Sequence, residues 1–123
     1  MQFEGRRRLQ QQEKITKLIE WFVKAALRHA EAVEAMHEEA AALQVESLDR
    51  FYAALHREDG MQQFFSLLDH ENSVVAGMAA VYALREFPER CRPVLVRLAQ
   101  EPGLIGFRAQ LALERWDFGE WSR

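Results

Sequence analysis

The sequence predicts an all-α fold of about six helices, arranged as about three antiparallel hairpins. Three observations carry this. No Gly or Pro stands between Gly5 and Gly60, and apolar residues recur there at steps of three and four, the spacing of an amphipathic helix. Gly 6 and Pro 3 in 123 residues are too few for a turn-rich β fold. The second half repeats a helix–turn–helix unit, with Phe64 and Leu67 falling thirty-one residues before Leu95 and Leu98.

The first apolar set is Ile15, Leu18, Ile19, Phe22, Val23, Ala26, Val33 and Met36, and the second is Ala41, Val45, Leu48, Tyr52 and Leu55. One unbroken helix of that extent would be about 65 Å long, too long for a compact domain. A hairpin is therefore expected, bent near Met36–Ala40, where Glu34, Glu38 and Glu39 suit the start of a second helix. Glu58-Asp59-Gly60 closes that helix, with Gly60 as its stop. A short helix carries Phe64, Leu67 and Leu68, and Asp69–Ser73 is a polar turn in which Asn72 or Ser73 caps the next helix. That helix, from Ser73 to Phe87, is rich in small residues and is expected at the centre, ending at Pro88. Pro93 suits the first turn of a helix reaching Gln100, Pro102-Gly103 breaks the chain, and a last helix spans Ile105–Asp117.

Length and composition allow one domain, with residues 1–12 as a frayed basic tail and 13–123 as the folded body. Apolar residues at 49% and charged residues at 28% are ordinary globular values. The basic run Arg6–Arg8 is followed by no apolar stretch, so it reads neither as a secretory signal nor as a membrane anchor. A cytoplasmic protein is expected. The net charge of −3 argues against a nucleic-acid partner. Residues 1–59 hold nine basic and eleven acidic groups, 60–87 one and three, and 88–123 six and five, so no segment is strongly basic.

The run Phe65-Ser66-Leu67-Leu68-Asp69, then Ser73-Val74-Val75, then Ala79-Ala80 and Ala83-Leu84 resembles HEAT-like helical repeats. Taken with His70, Pro88-Glu89-Arg90, Pro93-Val94-Leu95 and Glu101 to Phe107, it resembles more narrowly a small bacterial family known only as a domain of unknown function. The resemblance covers about Ile15 to Trp116. It implies a gently curved HEAT-like array with right-handed stacking, and no activity. HEAT-like repeats often place Arg after the Val of the second helix, where it pairs with the Asp of a neighbouring turn. Here Ala76 follows Val75, while Phe107-Arg108 keeps the arginine, so the ladder is partial.

Catalytic and metal patterns fail on inspection. His37-Glu38-Glu39-Ala40-Ala41 lacks the second His of a zinc-protease helix, and Glu34-x-x-His37 has no second copy for a di-metal site. Asp69-His70-Glu71 reads as helix termination. Cys91 is the one cysteine, so no internal disulfide exists. Arg90 and Arg92 beside it would activate a thiol, but a partly buried, inert thiol is expected. The glycines form no phosphate loop. No cofactor and no enzymatic activity are expected.

The expected role is a non-catalytic protein–protein interaction module that binds an unidentified protein through its second helices. The candidate contacts are Met78, Tyr82 and Arg85, spaced four and three, and Arg108 and Arg115, seven apart on the last helix. Trp116, Phe118 and Trp121 form the densest aromatic group, as a clasp for the last helix or, if exposed, an interface. The alternatives are a ligand-binding or enzymatic domain with an inter-helix pocket near His29, Glu34 and Tyr52, and a homodimer.

Overall fold

The computed structural model describes residues 2–120, and among these there are six α-helices, one 3₁₀ segment and no strand. The helices are α1 Gln2–Glu34, α2 Glu38–Arg57, α3 Met61–Phe64, α4 Ser73–Ala83, α5 Pro88–Leu98 and α6 Gly103–Asp117, and the 3₁₀ segment Phe65–Asp69 comes directly after α3. The all-α class expected from the sequence is observed. The chain divides into two compact units, Met1–Phe64 and Phe65–Arg123, a division that the expectation of one folded body does not contain.

In the first unit α1 and α2 form an antiparallel hairpin. Gln11 Nε2 donates to the Glu58 carbonyl at 2.7 Å, and the Trp21 and Phe51 rings lie 5.8 Å apart, so the register pivots about Met36. The bend occupies Ala35–His37, at the leading edge of the expected Met36–Ala40. Met36 adopts φ +57°. Its N–H bonds to Val33 O at 3.0 Å, and the His37 N–H bonds to Ala32 O at 2.8 Å. These two bonds are the Schellman closure, which satisfies the last carbonyls of α1. His37 then caps α2, its Nδ1 accepting from the Ala40 N–H at 3.2 Å. Met36 is 88% exposed, so its side chain contributes little packing. Met36→Gly is expected to raise stability by about 0.5–1 kcal/mol, because glycine relieves the left-handed strain at small entropic cost. A thermal melt raised by a few degrees checks it.

The end of α2 repeats the motif, with a correction. The left-handed residue is Asp59, at φ +60°, rather than Gly60. The Gly60 N–H closes the motif on Leu55 O at 2.7 Å. Glycine is needed there for space: a Cβ would stand 2.9 Å from Leu55 Cδ2 and 3.1 Å from Ile15 Cγ2.

A second correction concerns the N-terminal tail. Residues 2–12 belong to α1, because Gln, Arg and Leu are good helix formers and extending an existing helix needs no new nucleus. At 33 residues α1 is about 48 Å long, against about 29 Å for the 20 residues of α2. Its first turns therefore project past α2, and Arg6, Arg7, Arg8 and Leu9 are exposed. The core of this unit is aromatic. Phe64 packs edge-on against Phe22 at 5.0 Å and Tyr52 at 5.3 Å, with Phe22, Phe64, Leu48 and Leu55 fully buried.

In the second unit α4 is central, packing against the 3₁₀ segment, α5 and α6. Small residues permit this: Ala76, Ala79, Ala80 and Ala83 are buried, and a Cβ at Gly77 would stand 3.3 Å from Leu98 Cδ1. Asn72 caps α4, accepting from the Val74 N–H at 2.9 Å. Ser73 instead donates to Glu101 at 2.7 Å, linking the starts of the two second helices. α4 ends at Ala83 rather than Phe87, since Pro88 forces Phe87 out of the helical region (φ −132°, ψ 59°). Pro88, not Pro93, takes the first position of α5, and Pro93 lies inside it. α6 closes with the Schellman bonds again, here with Gly119 at φ +72°. No helix among the described residues is long and apolar enough to cross a membrane.

Candidate functional site

The stripe Met78–Tyr82–Arg85 does not form an open docking surface. Tyr82 is buried at 9% exposure and Met78 is half-buried, and only Arg85 of the three is exposed. Tyr82 belongs to the core, and the candidacy of Met78 and Tyr82 as surface contacts is corrected accordingly.

Arg108 and Arg115 are both exposed on α6. Neither makes an ion pair or side-chain hydrogen bond among the described residues. Asp69 is exposed, and polar links within the second unit include Ser73 to Glu101 and Arg97 to the Leu68 carbonyl at 3.3 Å. Arg92 is bound by Asp117 through two hydrogen bonds, of 3.3 and 2.9 Å. That carboxylate pushes the guanidinium pKa further up. Arg90 covers the Phe65 ring at 4.5 Å. The arginines of α5 thus have internal duties, and those of α6 do not.

Beside Arg108 and Arg115 lies an apolar row of which the sequence pattern singled out only Phe118. Leu104 is 48%, Phe107 64% and Phe118 78% exposed, with half-buried Leu111 between them. Positions 104, 107, 111 and 118 share one side of a helix, while buried Gly106, Ala109 and Ala112 occupy the other. A signal existed: α6 carries apolar residues on both sides, more than one buried stripe needs. Trp116 is half-buried, Phe118 is exposed and closes nothing, and Trp121 lies outside the described residues.

Three of the four histidines have structural surroundings. His37 caps α2, His70 Nδ1 accepts from the Asn72 N–H at 3.0 Å, and the His56 ring stands edge-on to Tyr52 at 5.0 Å. Among the described residues no three His, Cys, Asp or Glu are placed to hold a metal ion. A shallow, open hollow is lined by Pro88, Glu89, Arg92, Pro93 and Val96, all on α5, so it is a surface depression and not an inter-helix pocket.

Cys91 is fully buried. Burial pushes its thiol from the ordinary 9.0 to about 11, against a smaller opposite pull from Arg90. At pH 8 the thiolate fraction is about a hundredfold below that of a free cysteine. A thiol-specific chromogenic reagent is expected to react at least tenfold more slowly with the folded protein than with the urea-unfolded chain. Because the folded pKa is the higher one, this group's contribution to stability is complete below about pH 9 and is lost as pH rises through about 11.

Comparisons with protein-family models, with curated proteins and with solved structures found no match to this chain.

Proposed function

We propose that the chain is a non-catalytic, HEAT-like protein-interaction module of the bacterial cytoplasm, and that its docking surface is the outer side of α6. The observation that carries this is the exposure of Phe107 and Phe118, at 64% and 78%, beside Arg108 and Arg115. A large apolar side chain left in water forgoes about 1.5–3 kcal/mol of burial. Aromatic residues and arginine around a contiguous apolar row are the composition of interface centres. The HEAT-like reading is supported by the two successive helix–turn–helix units and by the Ser73–Glu101 link between them. In such arrays the second helices are the usual binding surface, and α6 is a second helix.

Immobilised wild-type protein is expected to retain a stoichiometric partner from a native lysate. The Phe107→Asp/Arg108→Glu variant, with unchanged circular dichroism, is expected to lose it. Retention of the same proteins by both forms, or of none by either, contradicts the proposal.

A further inference from the structure

We infer that the partner of the α6 surface is an acidic amphipathic helix of another protein, about four turns long. This rests on the reading of α6 as a docking surface and adds the chemistry of what docks. At 100° per residue and with Leu111 as centre, Leu104 and Phe118 lie within about 20° of the midline. Phe107 and Arg115 lie about 40° to opposite sides, and Arg108 about 60° out on the side of Arg115. The row of Leu104, Phe107, Leu111 and Phe118 therefore runs about 21 Å along the helix, flanked on one edge by two guanidiniums about 10 Å apart and on the other by exposed Glu114, about 60° from the midline on the side of Phe107. Both are exposed, and no carboxylate among the described residues is bonded to either. Asp117, the acid nearest that end of the helix besides Glu114, is already held by Arg92 at 2.9 Å.

A helix that fills this surface needs apolar residues at three- and four-residue steps and two carboxylates seven residues apart on one flank. Each carboxylate then meets one arginine at the edge of a water-excluding seam, where a charge pair sets orientation and partner choice. A second copy of the chain fits badly. In an antiparallel pair of α6 helices, like edges meet, and Arg108 of one copy faces Arg115 of the other. In a parallel pair the arginine edge meets the opposite edge, which offers Gly103 and Gln110 at those heights and no carboxylate for Arg108. A phosphate backbone would find its cationic track bordered by Phe107, Leu111 and Phe118 in a chain of net charge −3.

The test uses two fluorescein-labelled 18-residue peptides with Leu at the seam positions, one with Glu and one with Lys at the flanks. Anisotropy titrations are made with the full chain at low salt. The Glu peptide is expected to bind about tenfold more tightly than the Lys peptide, and the Arg108→Glu/Arg115→Glu variant to invert that preference. Equal binding of both peptides, or a preference unchanged in the variant, overturns the inference. If neither peptide binds while the wild-type chain still retains its lysate partner through Phe107, the docking surface stands and the acidic helix is wrong. If nothing is retained either, both fall. A concentration-dependent dimer in sedimentation, abolished by Phe107→Asp, overturns the inference in favour of a second copy.

Discussion

Phe22→Ala is expected to lower the unfolding free energy by about 3–5 kcal/mol, the range for deleting a buried aromatic ring. The side chain is fully buried, and its ring stands edge-on to Phe64 at 5.0 Å, nearly perpendicular at 84°. Its removal opens a cavity where α1, α2 and α3 meet, and the ring contact, worth about 0.5–1.5 kcal/mol by itself, goes with it. A urea titration followed by circular dichroism measures the loss. Leu43→Ala provides the comparison: Leu43 is 60% exposed, and its truncation should change stability by less than about 0.5 kcal/mol. Similar losses for the two variants would contradict the aromatic core described for the first unit.

Gly106→Ala is the second large effect, and its sign runs against helix propensity. Alanine in a helix is favoured over glycine by about 1 kcal/mol. At Gly106, however, a Cβ would overlap the backbone carbonyl of Glu101 and crowd the Ala99 carbonyl. These are backbone atoms, so no rotamer change relieves the clash. The first turn of α6 would have to move away from the loop that carries Glu101 and its bond to Ser73. A loss of about 2–3 kcal/mol is expected, at the upper end of overpacking costs. Gly5→Ala is the matching control. Nothing lies within 4 Å of a Cβ there, so the substitution should be neutral or stabilising by up to about 1 kcal/mol. Parallel melts of the two variants decide whether crowding or propensity governs Gly106.

The same contrast between local preference and tertiary surroundings separates what was legible in the sequence from what was not. Periodicity located α1 and α2, because each buries one side and leaves threes and fours in the chain, whereas α4 and α6 were marked by small residues and by their boundaries at Asn72, Pro88 and Pro102-Gly103. The bend at Met36 was the least marked element, since its signal is normally glycine and here Met36 takes the left-handed conformation itself. Gly60 looked like a conformational stop and serves instead to admit Ile15 and Leu55, a requirement set by residues forty-five and five positions away. Two prolines stand near one boundary, and the one expected in the first turn of α5, Pro93, lies inside it, while the observed start is Pro88. For the site, Arg108 and Arg115 were readable as one side of a helix. Tyr82 fitted both a surface stripe and the core by its spacing, and it is buried. Of the exposed row, Phe118 was named with the aromatic group, while Leu104 and Phe107 carried no separate signal.

The most direct test of the α6 docking surface is site-specific photocrosslinking with a benzophenone side chain at position 107 in the full chain, in a native lysate. The same probe at exposed Leu43 in the first unit is the reference. Adducts from position 107 to a discrete protein, mapped by mass spectrometry to an acidic amphipathic segment and absent from position 43, are the expected result. Equal adduct patterns from the two positions, or none from position 107, would contradict the docking role of α6.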